Sequence, residues 1–197
     1  LIESAILSQI NHQSLIATKA RRIVKAADGR SVFDFGARRA HNLDAAIYGA
    51  RAAYIGGADG TATVLAAKAF GIPTTGTMAH SWVMYFGDEF EAFKRYALLY
   101  PDSASLLVDT YDVLHSGVPN AIKTAKEVLE PLGKRLKAVR LDSGDLAYLS
   151  KKTRAMLDDA GLQDCKITVS NSLDEYSIAS ILAQGGQIDG FGVGERL

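Results

Sequence analysis

Short apolar runs alternate along the chain with longer stretches in which apolar residues recur at helical spacing. Seven of the short runs are apolar nearly throughout, as in strands that are covered on both faces. They are SVFDFG (31–36), AYIGG (53–57), TTGTMA (74–79), SLLVD (105–109), KAVRLD (137–142), KITVSN (166–171) and DGFGVG (189–194). The pattern therefore predicts about seven strands of a parallel sheet.

The stretches between these runs carry recognisable helix ends. Helical spacing of apolar residues follows Pro119 and again follows Ser143, and it predicts a helix after each. Ser172 and Glu175 have the spacing of a capping box. Gly71 is placed to end the helix before it. The chain thus predicts a regular succession of strands and helices.

The spacing of the predicted strands indicates the fold class. Most successive strands end about 20 to 35 residues apart, near the roughly 30 residues of a βαβ unit. Such units build an α/β fold with a parallel sheet, and we predict an α/β barrel resembling a TIM barrel, with a doubly wound open sheet as the alternative. We predict an N-terminal helix and lead-in over residues 1–30 and the barrel domain over residues 31–197. The chain opens without methionine inside an amphipathic stretch, so we expect a piece of a larger protein.

Composition excludes several classes of partner. The 22 basic residues balance the 22 acidic ones, so no global positive field would gather a nucleic acid or an anionic membrane surface. No apolar run approaches the roughly 20 residues needed to cross a bilayer. The single cysteine, Cys165, precedes an apolar run and predicts a buried, reduced thiol in a cytoplasmic protein.

Polar residues and glycines collect where the predicted strands end, which is where a parallel barrel has its active site. Each alone has a structural explanation: a glycine can serve a turn, an aspartate can cap a helix, and a histidine can belong to the core. Their convergence on one rim is what favours a site. The residues are Phe35, Arg38, Thr61, His80, Asp109, Arg140, Asp142, Ser143, Ser170, Asn171, Gly192 and Gly194.

This set suits a phosphorylated sugar. Glycine loops and helix N-termini bring N–H groups to phosphate oxygens, arginines bind them in bidentate fashion, and aspartates bind ribose hydroxyls or Mg²⁺. Phe35 could stack on a flat ring. No lysine stands at a strand end to form a Schiff base, and no HExxH motif indicates zinc.

Eight motifs resemble, in order and spacing, those of the nicotinate phosphoribosyltransferase family. They are SLIATKA, FDFGARRAH, AAYIGGADGTATVLA, GTMAHSWV, LLVDTYD, RLDSGDL, VSNSLDE and GFGVG. The resemblance implies a type II phosphoribosyltransferase with an irregular α/β barrel of about seven parallel strands. The enzyme would form nicotinate mononucleotide and pyrophosphate from nicotinate and 5-phosphoribosyl-1-pyrophosphate. The resemblance further implies coupling to ATP hydrolysis, a requirement for Mg²⁺, a role in NAD salvage, a cytoplasmic location and a homodimer.

The resemblance also implies roles for individual residues. His80 matches the histidine that ATP transiently phosphorylates, and Arg140 and Asp142 match residues that approach the pyridine ring and the ribose. Phe35 matches the aromatic that stacks on the ring, and Arg38 an arginine of the same pocket. Substrate contacts are further expected from the loops that hold ribose and 5′-phosphate and from two neighbouring hydroxyls: Ser170, Asn171, Gly192, Gly194, Thr61 and Ser143. The motifs identify no metal ligands.

Three positions refine this expectation. Related nicotinamide enzymes carry an aspartate where this chain has Ala62, which favours nicotinate because an aspartate there would repel a carboxylate. Glu195 stands where the family usually has threonine, and Asp34 where glutamate is common. The family's N-terminal domain and the chain after the last strand are absent, so the isolated chain is expected to fold yet could be inactive.

Other interpretations of the function remain open. A quinolinate phosphoribosyltransferase would share the barrel and the reaction type but would need more basic residues around the base and no counterpart of His80. A non-catalytic phosphosugar-binding barrel would bind without turnover. A sugar-phosphate isomerase or lyase is disfavoured by the paired aspartates of VDTYD and RLDSGDL and by the missing strand-end lysine.

Overall fold

All 197 residues are described by the computed structural model, and they form an α/β fold with six strands and eight α-helices. The chain divides into two units. Unit 1 contains Leu1–Gly76, Ser170–Ser180 and Gly190–Leu197, and unit 2 contains Thr77–Val169 and Ile181–Asp189.

Unit 1 contains three parallel strands in the order β2–β1–β6. Phe33 of β1 lies opposite Gly60 of β2, and Ser31 of β1 lies opposite Gly190 of β6. Helix α1 packs mainly against α2 and buries Ala20 and Ile23. The elements are α1 (Ile2–Ala26), β1 (Ser31–Asp34), a 3-10 helix (Ala37–Arg39), α2 (Leu43–Ile55), β2 (Gly60–Thr61), α3 (Val64–Phe70), the start of α8 (Glu175–Ala183) and β6 (Gly190–Val193).

Unit 2 also contains three parallel strands, in the order β3–β4–β5. Its core is aliphatic, with Leu106, Val139 and Ile167 of the three strands all fully buried, as expected for a sheet that helices cover. The elements are α4 (His80–Phe86), α5 (Glu89–Leu99), β3 (Ser105–Leu107), a π-helical turn (Val113–Gly117), α6 (Val118–Thr124), a second π-helical turn (Ala125–Leu129), a 3-10 helix (Glu130–Leu132), β4 (Ala138–Leu141), α7 (Leu146–Asp159) and β5 (Lys166–Val169).

Five of the seven predicted strands are confirmed, and two are wrong. Residues 53–57 belong largely to α2, where Ala46, Ala50 and Ala53 are buried at helical spacing. The alanine-rich helix simply continues through an apolar run that is too short to distinguish a strand from a helix. Residues 74–79 form no strand and contribute only a single bridge from Thr74 to Thr61. The two-residue strand β2 was too short for the hydrophobic pattern to predict.

The predicted helix ends are mostly confirmed. Gly71 follows α3 in the left-handed conformation, with a φ of 68°. The capping box at Ser172 is wrong, because Asp174 accepts hydrogen bonds from the N–H groups of Tyr176 and Ser177 at the start of α8. The Ser172 hydroxyl instead donates to a carboxylate oxygen of Glu195.

The predicted burial of the cysteine is confirmed, since Cys165 is a free and buried thiol; the cytoplasmic location stays a prediction. Burial raises the pKa of this thiol to about 12, because the thiolate would lose its hydration. None of the helices combines the length and the apolar character that a membrane crossing requires. The division of the chain at residue 30 stays a prediction.

Candidate functional site

Asp109 is the hub of a polar cluster in unit 2, which we call the Asp109 cluster and define as Thr77, His80, Asp109, Arg140, Asp142 and Ser143. The Asp109 side chain is 1% exposed. One carboxylate oxygen, Oδ1, lies 3.0 Å from His80 Nε2. The other, Oδ2, accepts hydrogen bonds from Ser143 Oγ at 2.6 Å and from the Asp142 N–H at 3.1 Å.

The parallel pairing of β3 with β4 brings these residues together. The Val108 N–H donates to the Arg140 carbonyl at 3.1 Å, so the ladder continues to the residue just before Asp109. Asp109 and the Asp142–Ser143 step therefore leave neighbouring strands at the same edge of the sheet. Asp145, next along the same loop, caps α7 by accepting from the Tyr148 N–H. The RLDSGDL motif thus both starts a helix, as its spacing predicted, and supplies polar groups to the cluster.

The contact with Asp109 fixes the orientation and the tautomer of the His80 imidazole. An ionised carboxylate can only accept hydrogen bonds, so Nε2 must carry the hydrogen that points to Asp109. Nδ1 then keeps its lone pair when the ring is neutral. The His80 side chain is 39% exposed at the first residue of α4. The cluster therefore presents an accessible, oriented imidazole whose Nδ1 can act as a nucleophile or a base.

Arg140 and Asp142 form a second pair in the cluster. Arg140 Nη2 lies 3.2 Å from Asp142 Oδ1, and Nη1 donates to Thr77 Oγ1 at 3.2 Å. Both charged side chains are 15% exposed. Because partial burial weakens screening by water, these charges act more strongly on a bound group than surface charges would.

Phe35 and Gly192 define a site in unit 1. The Phe35 N–H donates to the Val193 carbonyl at 2.7 Å, which extends the β1–β6 pairing by one residue. The phenyl ring lies directly over Gly192, where an added Cβ would be only 2.3 Å from the ring. Glycine is therefore required at this position for the ring to keep its place.

Asp34 supports the loop that carries Phe35. It is buried, and it accepts hydrogen bonds from Thr61 Oγ1 at 2.6 Å and from the Gly36 N–H at 2.8 Å. Burial raises the pKa of this carboxyl, and the two hydrogen bonds oppose the rise. Thr61 is fully buried, and its hydroxyl also accepts from the Thr63 N–H. This arrangement favours a supporting role for Thr61 over the substrate contact predicted from the sequence.

The loop after β5 has unusual backbone geometry. Asn171 and Ser172 have φ values of 94° and 48°, a conformation that costs free energy in residues other than glycine. Ser172 Oγ donates to Glu195 at 2.6 Å, and Arg39 lies 3.7 Å from the same carboxylate. The Ser172 hydrogen bond, together with the nearby arginines, lowers the pKa of Glu195. Glu195 is thus held as an anion beside the glycine loop.

A cavity of about 240 Å³ lies in unit 1 beside this loop. Its polar wall includes His12, Asp34, Arg39, His41 and Glu195. Of these, His12 Nε2 lies 3.1 Å from the Ala45 carbonyl, Arg39 pairs with Glu195, and Asp34 is bonded as described above. Most of the polar groups on its wall are therefore already paired within the protein.

The structure thus brings the predicted residues into two groups, one in each unit. Unit 2 joins His80, Arg140, Asp142 and Ser143 directly, and unit 1 joins Phe35 with Gly192 and Gly194. Arg38 lies in the 3-10 helix after Phe35, while Ser170 is buried and precedes the strained Asn171. Sequence reasoning left Thr77 out of the site and did not recognise Asp109 as its centre.

No group of three or more His, Cys, Asp or Glu side chains that could hold a metal ion is present. Asp109 and Asp142 are adjacent, but Asp109 has both oxygens engaged and Asp142 pairs with Arg140. The residues therefore do not form a dedicated metal cage.

The model of the nicotinate phosphoribosyltransferase (NAPRTase) family matches residues 30–197. The chain belongs to this family. It is 53% identical over 199 aligned residues to a nicotinate phosphoribosyltransferase of Bacillus subtilis, with 100% of this chain and 40% of the relative covered. It is 55% identical to one of Mycobacterium tuberculosis, again over 100% of this chain and 42% of the relative.

A solved structure is also similar. The crystal structure of human nicotinic acid phosphoribosyltransferase superposes with a TM-score of 0.87 at 28% identity, covering 98% of this chain and 49% of that one. The chain therefore spans less than half the length of these relatives. Its membership confirms the resemblance seen in the eight motifs.

Proposed function

We propose that this chain carries the catalytic residues of a nicotinate phosphoribosyltransferase. The reaction joins nicotinate to 5-phosphoribosyl-1-pyrophosphate, forms nicotinate mononucleotide and pyrophosphate, is coupled to ATP hydrolysis and serves NAD salvage. The observation that carries the proposal is the Asp109 cluster. A buried carboxylate there orients an exposed histidine, while an arginine–aspartate pair stands on the neighbouring strand.

His80 accepts the γ-phosphoryl group of ATP in this proposal. The Nδ1 lone pair attacks phosphorus, the bond to the ADP oxygen breaks, and ADP leaves with the electron pair. The ring then carries phosphorus on Nδ1 and hydrogen on Nε2, so it is cationic. The Asp109 carboxylate, 3.0 Å from Nε2, stabilises that charge.

Asp142 and Arg140 act on the second half-reaction. Departure of pyrophosphate from C1 of the ribose develops positive charge on the sugar, and a carboxylate at Asp142 stabilises it. Arg140, fixed by Thr77 and Asp142, meets the carboxylate of nicotinate as a bidentate donor. Ser143 holds Asp109 in place and is available to ribose hydroxyls.

The unit 1 residues contact the base and the phosphate. The Phe35 ring offers a flat face for stacking on pyridine, and Arg38 follows it in the 3-10 helix. Ser170, Asn171, Gly192 and Gly194 supply backbone and side-chain donors for the ribose and its 5′-phosphate. The exposed Ala62 brings no negative charge near a carboxylate substrate, which supports nicotinate over nicotinamide.

A bound Mg²⁺ would supply positive charge that offsets the charge of the pyrophosphate. Magnesium in such reactions commonly takes one or two carboxylates and completes its shell with substrate phosphates and water. Asp142 would be the carboxylate of the cluster available for such a contact, because both oxygens of the buried Asp109 already accept hydrogen bonds.

The finer features of the fold and assembly belong to the same proposal. An irregular type II phosphoribosyltransferase barrel is proposed from the family resemblance, and each unit contains three parallel strands. A cytoplasmic homodimer is proposed from the family resemblance, and the buried reduced Cys165 is compatible with a reducing compartment.

Calorimetric titration combined with a pyrophosphate-release assay tests the function. The chain and its full-length parent are titrated with Mg²⁺ and 5-phosphoribosyl-1-pyrophosphate, then with nicotinate. We expect binding by both and release by the full-length protein. With His80→Ala, ATP stimulation should vanish while slow ATP-independent synthesis remains.

The same assay distinguishes the alternatives. Turnover of quinolinate with release of CO₂, and none with nicotinate, would replace the proposal by a quinolinate enzyme. Binding without turnover in the full-length protein would indicate a non-catalytic phosphosugar-binding barrel.

A further inference from the structure

We propose that Glu89 is a positioning residue for the His80–Asp109 pair, acting through the π-helical turn Val113–Gly117. The inference deepens the proposed function and rests on it where it concerns phosphoryl transfer to His80. Glu89 itself touches neither residue of the pair.

Glu89 is a buried carboxylate without a basic partner. It is the first residue of α5 and is 5% exposed. Its Oε2 accepts hydrogen bonds from Ser116 Oγ and, at 3.1 Å, from Asn120 Nδ2. Its Oε1 is buried and has no hydrogen-bond partner. Burying a carboxylate in this way lowers the stability of the fold, which suggests that Glu89 serves a function that offsets this cost.

The Glu89 contacts hold one side of the π-helical turn, and the end of β3 holds the other. The Gly117 backbone packs so closely on Val108 that an added Cβ would lie 1.7 Å from the Val108 carbonyl oxygen. Val108 directly precedes Asp109. A shift of the turn would therefore move the backbone that positions the Asp109 carboxylate.

The turn itself is internally fixed. The Asp112 carboxylate accepts from the N–H groups of Leu114 and His115 at 2.9 Å each. The Gly117 N–H donates to the Asp112 carbonyl at 2.8 Å. Because both ends are bonded to Asp112, the turn transmits a displacement instead of absorbing it. Single π-helical turns of this kind are frequent at functional sites.

The helix that begins with Glu89 is also joined to the helix that carries His80. The Trp82 Nε1–H donates to the Ala92 carbonyl at 3.1 Å, which joins α4 to α5. His80 begins α4, and Glu89 begins α5. Helix α4, which carries His80, and the end of β3, which carries Asp109, are therefore linked in two ways. The first link is the His80–Asp109 contact, and the second runs through Glu89. Loss of the second link should loosen the 3.0 Å contact of the first.

The test compares Glu89→Leu with Glu89→Gln in the full chain, with Glu91→Ala as the matched control. Leucine fills the volume but accepts no hydrogen bond, whereas the glutamine oxygen can still accept from Ser116 and Asn120. Glu91 lies on the same helix and pairs with Arg95 at the surface. If circular dichroism shows that Glu89→Leu does not fold, Ser116→Ala is used instead, because it removes only one of the hydrogen bonds to Glu89.

The first measurement is the ¹⁵N spectrum of the His80 ring, which reports whether Nε2–H remains hydrogen-bonded. We expect Glu89→Leu, or Ser116→Ala to a smaller degree, to shift the His80 nitrogens toward values of a free imidazole. Glu89→Gln and Glu91→Ala should leave them unchanged. In the full-length protein, ATP-stimulated turnover should fall by roughly 10- to 100-fold in Glu89→Leu with little change in KM, since misplacing a reacting group costs rate.

The outcomes test the positioning role of Glu89 and the proposed function separately. Folded Glu89→Leu with unaltered His80 nitrogens and unaltered ATP stimulation would overturn the positioning role while leaving the proposed function intact. Altered nitrogens in a protein that never turns over nicotinate would support the positioning role and overturn the function.

Discussion

Replacing Asp109 by asparagine should separate the orienting role of this carboxylate from its role in holding the fold. In the native protein Oδ2 receives two donors, Ser143 Oγ and the Asp142 N–H, while Oδ1 faces His80 Nε2. An asparagine retains only one oxygen, and that oxygen should stay with the two donors. The new amide N–H₂ group then faces His80 Nε2.

This exchange reverses the tautomer of His80. An amide N–H facing Nε2 needs a lone pair there, so the ring proton moves to Nδ1 and removes the proposed nucleophile. Returning to the reactive tautomer loses one hydrogen bond, about 1 kcal/mol, and leaves a buried donor unpaired, about 1 to 3 kcal/mol. With about 1.4 kcal/mol for each factor of ten, the fraction of reactive His80 should fall on the order of 100-fold.

The assay follows transfer of label from γ-³²P-labelled ATP to the protein in the full-length Asp109→Asn variant. We expect labelling to slow by about 100-fold or more, since the variant also loses the charge that faces the cationic phosphohistidine. ATP-independent synthesis should change much less. Asp102→Asn is the matched control, because Asp102 is exposed and pairs only with Lys134 at the surface. Labelling of Asp109→Asn at the native rate would refute the assigned tautomer.

Three further predictions follow from the same geometry. Asp142→Asn should lower turnover by at least roughly 100-fold through loss of an electrostatic stabiliser; near-normal pyrophosphate release would remove that role. Gly192→Ala should displace the Phe35 ring and raise KM for nicotinate, and Phe35→Leu should cancel most of this added effect in a double-mutant cycle. Asp174 has its pKa lowered from 3.8 to about 2, chiefly by the Ser177 N–H and also by Arg196. The ionised Asp174 therefore stabilises the fold above pH 3.8, and this stabilisation is lost as the pH falls toward 2. In Asp174→Asn, the free energy of unfolding measured with denaturant should depend less on pH in that range; an unchanged pH dependence would contradict this.

The sequence predicted elements best where length and periodicity agreed. The helix predicted after Ser143 exists as α7, because apolar residues there recur over several turns. The stretch after Pro119 is helical too, but it is divided into the short α6, a π-helical turn and a 3-10 helix. The strand predicted at residues 53–57 was wrong, because in an apolar run of five residues the end of a helix cannot be distinguished from a buried strand. The capping box failed because a third candidate, Asp174, lay between the two residues that matched the pattern.

Site residues were predictable as a set but not in their connections. Strand ends and motifs selected His80, Arg140, Asp142 and Ser143, and the structure brings these residues together. Their roles stay predictions. The central place of Asp109 depends on the pairing of β3 with β4, which brings a residue 33 positions away into contact with Asp142. No local pattern carries that information. Glu89 was also missed, because an acidic residue in the first turn of a helix is commonly explained by its favourable interaction with the helix dipole.

Glu195 shows how a local conflict in the sequence is resolved by tertiary contacts. A carboxylate beside a glycine loop that is proposed to bind phosphate would oppose an anion if it faced the loop unpaired. The side chain instead accepts a hydrogen bond from Ser172 Oγ, and it lies 3.7 Å from Arg39. Its charge is therefore partly neutralised from outside the loop. Ser172, which has a positive φ, and Glu195 are thus joined by a hydrogen bond that their positions in the sequence would not predict.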